Sequence, residues 1–559
     1  MQKTCKKCSI NFEITSSDLE FYKKISPKFD WKTFEIPAPT LCPECRQQRR
    51  LMWRKERWLH KRTCDATGKE MISMYSPDKD LIVYEQDIWW SDKWDALDYW
   101  VDFDFSKSFF SQFWEFIKKV PHKTLINNFK TNYNSNFGNN TWNNKNCYLV
   151  FEAGSLENCM YSENIRKSKN TLDSTWTQYC EKSYELIDCY NCYSCFYSQD
   201  LKECNNVEFS INCTNCDYCF LSNDLNWKKY FIENKKYSKK DYFDKIKEFK
   251  NNNTNLELRE KLQKIENRVV KNYHWFWNNN CIWDYIYNSN NSEFCFDAKN
   301  LDNCKYCTVI SSSKDICSNC YDYDYFGHSE LSYEIVTVWE NTYNALFCVN
   351  TWDNIKNAYY CIECNNISNC FWCFWLVWKE FCIFNKQYTK QEYEKLVSNI
   401  IIYMQKTWEW WEFFPANLSP FWYNETVVQE FYPLEKEQII RKWFNYSEYI
   451  SPFPNVEKII PANKLPENIS DIPDDILNWA IKCKTSGKPF RIIKEELEFY
   501  RKENLPVPRK HPDVRFLERI KLRNPRKLII RECNKCWELI KTTYNKKRKE
   551  KVVCEKCYV

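Results

Sequence analysis

Glycine is almost missing from this chain, with 5 among 559 residues, where ordinary usage near ~7% would give about forty. Histidine is nearly as scarce. His60, His122, His274, His328 and His511 include no pair at metal-ligand spacing and no Cys/His or Ser/His motif. No P-loop and no dinucleotide fingerprint is legible, although a replaced glycine would hide one. The longest apolar run, Phe371 to Trp378, has eight residues, far short of the ~18 of a membrane span. Met1 to Ile10 is basic and carries cysteine with no apolar stretch behind it, so no secretory leader is expected and the protein is read as cytoplasmic. These absences disfavour an enzyme, leave no catalytic residue to name, and identify neither a membrane nor a small-molecule substrate.

What is abundant is tryptophan, with 26 residues, and cysteine, with 32. Several tryptophans stand where the chain should turn. Trp537 follows the second cysteine of a knuckle, where positive φ is favoured. Trp372, Trp375 and Trp378 fall three apart, and Trp408, Trp410 and Trp411 crowd one turn. The expectation is that many are glycines, from UGA codons read as Trp in a genome that reads UGA as Gly; a UGG codon at Trp537 would exclude it.

The cysteines fall in two classes. Cys5 and Cys8 with Cys42 and Cys45, and Cys533 and Cys536 with Cys554 and Cys557, form two pairs of Cys-x-x-Cys knuckles. Four thiolates make a closed tetrahedral zinc site, which stabilises a fold and leaves no open position for catalysis. Two structural zinc ions are expected. Cys189, Cys192 and Cys195, and Cys213, Cys216 and Cys219, could gather a metal, but small apolar filling of a core is the favoured reading.

Charge is uneven along the chain. Residues 481–559 hold 24 Lys/Arg against 10 Asp/Glu, and residues 1–62 hold 15 against 7, so the middle is acidic. Arg46, Arg49, Arg50 and Arg54 follow one knuckle, and Arg515, Arg519, Arg523 and Arg526 lie before the last ribbon, where Lys546, Lys547, Arg548 and Lys549 add a basic loop. Such patches neutralise phosphates, which makes the ends candidates for RNA or DNA contact.

The chain is built of duplicated pieces. Cys5-Lys-Lys-Cys8 through Asp-Leu19-Glu-Phe-Tyr22 matches Cys483-Lys-Thr-Ser486 through Glu-Leu497-Glu-Phe-Tyr500, and Cys42-Pro-Glu-Cys45-Arg46 matches His511-Pro-Asp-Val514-Arg515. Serine and valine cannot hold zinc in that second copy. Cys64 then lies over Cys533, Gly68 over Trp537 and Tyr75 over Tyr544, so each end is one two-module unit in which a different module keeps its ligands. In the middle, Phe151 to Tyr161 matches Phe296 to Tyr306, which sets Gly138 over Trp283. Within each half, strand-like starts at Cys147, Cys159, Thr171, Ser183, Cys195, Val207 and Cys219 recur every 12 residues, the mark of a β-solenoid. Inward cysteine and aromatic ladders are expected, with Asn, Ser and Asp outside.

The predicted fold is therefore mainly β with α, with duplicated zinc-ribbon/treble-clef modules flanking two Cys-rich β-solenoid halves. The predicted divisions are 1–62 (zinc-binding treble-clef-like module), 63–128 (degenerate ribbon and linker helix), 129–265 and 266–400 (solenoid halves, each with a closing helix), 401–480 (Pro-rich extended arm), 481–526 (degenerate treble-clef-like module) and 527–559 (zinc ribbon).

Cys5-x-x-Cys8, Leu19-Glu-Phe-Tyr22 and Cys42-Pro-Glu-Cys45-Arg46 resemble the zinc-ribbon (treble-clef-like) domain of many small bacterial proteins. The full layout is similar to a group of Cys-rich repeat proteins of candidate-phylum bacteria, some of which read UGA as glycine. That resemblance implies the fold, zinc, and glycine at Trp408, Trp411, Trp422 and Trp537; it implies no activity. Three readings compete: a zinc-binding, non-catalytic protein whose basic ends contact nucleic acid; a protein–protein scaffold; and an enzyme sited in the solenoid groove or the 400–480 arm, with Glu412, Asn424 and Glu425 as polar candidates.

Overall fold

The computed structural model describes residues 1–558 apart from 264–267, 277, 280, 282–283, 302–303, 309–316, 319–320, 323, 325–328, 338–340 and 453–454. Trp283 and His328 lie outside the described residues.

A β-solenoid of about 18 turns fills the middle of the molecule. In the first half the parallel ladder steps by 12, from Phe151 to Glu163 to Thr175, and on through Ile187, Gln199 and Ile211. The coil has a finer period. Every third residue from Asn140 to Glu233 takes a positive φ, between 47° and 60°. Each coil is thus four short sides, each with one inward residue, one extended residue and one left-handed corner. Asn and Asp tolerate that corner best among residues with a side chain, which explains their abundance here.

This three-residue side also explains the internal Cys-x-x-Cys spacing. Cys189, Cys192 and Cys195, and Cys213, Cys216 and Cys219, sit on successive inward positions, all at most 2% exposed. They are core filling, and among the described residues none belongs to a candidate metal group. Serine departs from expectation. Ser162, Ser174, Ser198, Ser210 and Ser222 are buried. The Ser198 Oγ accepts the Ser210 N–H at 3.1 Å, and the Ser210 Oγ accepts the Ser222 N–H at 3.1 Å. Each of these hydroxyls donates to a carbonyl two residues back, so it is satisfied inside the core. Asparagine does lie at outer corners, where Asn134, Asn146, Asn158 and Asn170 form a side-chain ladder with steps of 3.0 to 3.2 Å.

Six helices join the ends to the solenoid. α1 (Ser16–Lys24) opens with a capping box between Thr15 and Asp18, and α2 (Pro43–Leu51) starts on Cys42 with proline in its first turn. α3 (Lys239–Asn252) and α4 (Lys390–Lys406) close the two halves, capped by Ser238 and Thr389 as their sequences predict. α5 (Lys494–Lys502) and α6 (Pro512–Leu522) repeat α1 and α2 near the other end.

The end units sit crosswise. Tyr22 of α1 packs edge-on against Tyr333 of the second half, with ring centroids 5.1 Å apart. Its repeat, Tyr500 of α5, packs edge-on against Tyr184 of the first half at 5.8 Å. The duplicated Glu-Phe-Tyr motif is thus a docking element used twice. The Pro-rich arm carries short helices and buries Tyr423, Val428 and Ile439 completely against Leu51 and Met52 at the end of α2.

Candidate metal centres and the basic helices

Each metal cluster is built from a hairpin knuckle and the start of a helix. Cys5 and Cys8 lie on the turn after a short strand, and Cys42 and Cys45 lie at the N-terminus of α2. The four Sγ atoms of Cys5, Cys8, Cys42 and Cys45 lie within 4.8 Å of one another, as do those of Cys533, Cys536, Cys554 and Cys557. Cys8 and Cys42 are 3.6 Å apart, and Cys536 and Cys554 are 3.7 Å apart. A tetrahedral ion with bonds near ~2.3 Å requires ligand sulfurs about 3.8 Å apart, so both clusters fit one. Hydrogen bonds from the Cys45 thiol, joined by its backbone N–H, hold the Cys42 thiol down to about 5, which favours the thiolate a metal needs.

The four knuckles share one backbone. The N–H of Ser9, Gly68, Gly487 and Trp537 returns to the carbonyl of Cys5, Cys64, Cys483 and Cys533, at 3.0, 2.9, 3.1 and 3.0 Å. All four residues have positive φ, from 60° to 72°. In the copy that lacks the ligand set, the Cys483 Sγ accepts the N–H groups of Ser486 and His511 at 3.4 and 3.2 Å. Backbone N–H groups there take the place of a cation.

The arginines expected to meet phosphates are enclosed. Arg46, Arg50, Arg54, Arg515, Arg519, Arg523 and Arg526 are all buried, and Arg49 is nearly so. Arg46 donates to Asp322 at 2.6 Å, and Arg50 pairs with Asp324. Arg49 bridges Glu334 and Glu412 at 2.8 and 2.9 Å, and Arg54 pairs with Glu56 and Glu152. Arg515 and Arg519 share Asp173, the latter at 2.9 Å. Arg523 spans Asp188 and Asp297 at 2.8 and 2.5 Å, and Arg526 takes the other oxygen of Asp297 at 2.7 Å. None of the eight faces a surface that a nucleic acid could reach. The exception is the loop in the last ribbon, where Lys546, Lys547 and Lys549 are exposed and Arg548 pairs with Glu550 at 3.1 Å.

This enclosure is itself duplicated. In the register that sets Cys64 over Cys533, Arg46, Arg50, Arg54 and Arg57 fall over Arg515, Arg519, Arg523 and Arg526. Arg46 stacks on Tyr306 at 5.4 Å and pairs with Asp322, while Arg515 stacks on Tyr161 at 4.8 Å and pairs with Asp173. Tyr161 and Tyr306 are repeat equivalents, and Asp173 and Asp322 are the left-handed corners one coil further on. The basic ends and the acidic middle therefore neutralise each other within the chain. Asp173, Asp188, Asp297, Asp322, Asp324 and Glu334 are the residues that sequence reasoning missed. The acidic middle is their signal, because it is the counter-charge to the basic ends.

The polar candidates on the arm are also structural. Glu412 accepts from Thr40 at 2.8 Å as well as from Arg49, Glu425 holds Lys55 and Lys79 at 3.1 and 2.9 Å, and Asn424 bonds the backbone of Ser447. No helix among the described residues is long and apolar enough to cross a membrane. Compared with known protein families, with curated proteins and with solved structures, the chain matches none.

Proposed function

We propose that the protein is a non-catalytic scaffold: a β-solenoid presents the interaction surface, and zinc-stabilised end modules clamp it crosswise. The observation that carries this reading is the enclosure of the duplicated arginines against solenoid carboxylates. It turns the strongest nucleic-acid signal into an internal fastening. The long solenoid face stays open, with Tyr179, Tyr190 and Tyr193 each about two-fifths exposed or more.

Titrating the full, zinc-loaded chain with a single-stranded RNA and a duplex DNA tests it. Three exposed lysines support a slope of log affinity against log salt no steeper than about 3. A slope of about 6 or more, lost on replacing Arg519 and Arg523, would restore the nucleic-acid reading.

Zinc is the metal we assign to both clusters, because four thiolates with no open position suit it. Two zinc ions per chain are expected by elemental analysis, and one after Cys533→Ala with Cys536→Ala. Three or more in the unaltered chain would move solenoid cysteines into metal sites. We also propose that tryptophans at left-handed backbone positions stand where glycine is the natural residue, as the shared knuckle backbone at Gly68, Gly487 and Trp537 supports.

A further inference from the structure

A cavity of about 470 Å³ opens where the first solenoid half meets the start of the second and the last ribbon. That volume lies in the range of small-molecule sites. One wall is a pair of ladders on successive coils, Asp188 and Asp200 on one corner and Tyr190 with Lys202 two residues on. The facing wall carries Tyr285, Tyr287 and Lys299.

The cavity is the open copy of a duplicated place. At its edge the Tyr544 hydroxyl and His274 Nε2 are 2.8 Å apart. The repeat partner Tyr75 meets His122 in the same manner, hydroxyl to Nδ1 at 3.2 Å. Beside Tyr75 the space is filled by Phe421 of the arm, stacked on the tyrosine with centroids 5.2 Å apart, and only about 10 Å³ is left. The arm has no second copy in the sequence, and no ring of this kind fills the space beside Tyr544 among the described residues.

The lining indicates what could enter. Asp200 is half-buried and its carboxylate has no hydrogen-bond or ion-pair partner among the described residues. Burial raises its pKa, against the pull of His274 and Arg268. Asp188 gives one oxygen to Arg523, and burial pushes its carboxyl up to about 7. Lys299 rests on Gln178 at 3.0 Å between the rings of Tyr190 and Tyr287, and burial lowers its ammonium to about 8. Carboxylates, amine and amide alternate with tyrosine faces, and neither sign of charge dominates. A phosphate would meet Asp188 and Asp200, and a polycation would meet Lys202 and Lys299. A neutral ring with an apolar face and hydroxyls around its rim meets both wall types.

We propose that this cavity binds a neutral saccharide, with Asp200 accepting hydroxyl hydrogen bonds, Lys299 donating them, and a sugar ring lying on Tyr190. The site is independent of the scaffold reading, which needs no small ligand.

The test is saturation-transfer NMR on the full, zinc-loaded chain with cellotriose, maltotriose and triacetylchitotriose, and with AMP and spermidine as charged controls. At least one saccharide is expected to bind, with affinity falling about tenfold in Asp200→Ala and in Tyr190→Ala. Asp200→Asn, which keeps the shape, guards against a variant that fails to fold, and is expected to weaken binding in the same direction. Binding by none of the three saccharides, binding unchanged in both Asp200 variants, or preference for AMP or spermidine would overturn the proposal.

Discussion

Asp173→Ala is expected to destabilise the attachment of the C-terminal unit by ~3–5 kcal/mol, the usual cost of removing one partner from a buried charge pair. Asp173 is fully buried and holds two guanidinium groups, from Arg515 and Arg519. Its loss leaves two cations without their main counter-charge in a site closed to water. Glu496, 3.7 Å from Arg515, is the remaining acid nearby, and its oxygens already accept from Tyr161 and Tyr500. Limited proteolysis with thermal unfolding measures the effect: the chain from the β-strand at Trp479–Lys482 onward should become cleavable while the solenoid stays protected. The triple variant Asp173→Ala, Arg515→Met, Arg519→Met should recover most of the loss, because burying no charge costs less than burying unpaired ones. If Asp173→Ala melts like the unaltered protein, the clamp is not what holds the ends. Asp322→Ala makes the same demand of Arg46 and Arg50 at the other end.

The repeat architecture was legible because both periods are written in side-chain type. The 12-residue step showed in Cys147, Cys159 and Cys195, and the two-module ends showed in cysteine spacing and Glu-Phe-Tyr. Three things were hidden, for physical reasons. Serine reads as an outer residue by polarity, but a corner hydroxyl that accepts the next coil's N–H belongs inside, as Ser198 and Ser210 show. Cys189-x-x-Cys192 reads as a knuckle because metal hairpins and solenoid sides share a spacing of three; the φ pattern separates them. The arginines read as a surface because sequence gives the sign of a charge and not its partner. Arg46 and Asp322 are 276 residues apart, and only the folded solenoid brings them together. The cavity beside Tyr544 was illegible for the same reason, since three distant segments line it.

Trp372→Gly is expected to stabilise the protein, although emptying a fully buried tryptophan site ordinarily costs ~3–5 kcal/mol. The reversal arises in the backbone. Trp372 has φ of 58°, and Trp375, Trp378, Trp408, Trp411, Trp443 and Trp537 likewise have φ between 56° and 68°. For a residue with a side chain that conformation costs roughly 1–2 kcal/mol, and glycine avoids most of it. Space argues the same way. The Trp372 ring centroid lies 3.5 Å from that of Phe384 and 3.8 Å from that of Phe109, closer than the ~4.5–7 Å at which aromatic pairs settle. The indole N–H groups of Trp372 and Trp375 are buried with no hydrogen-bond partner, a further cost of about 1–3 kcal/mol each. A natural core would not accumulate all three penalties at one position. Thermal unfolding of Trp372→Gly and of Trp372→Gly with Trp375→Gly should therefore show a rise in midpoint, the double variant exceeding the single. Trp53→Gly serves as the contrast, because Trp53 is equally buried but has no positive φ, and it should lose several kcal/mol. If Trp372→Gly falls as far as Trp53→Gly, tryptophan is the residue this core was built around and the recoding idea is wrong.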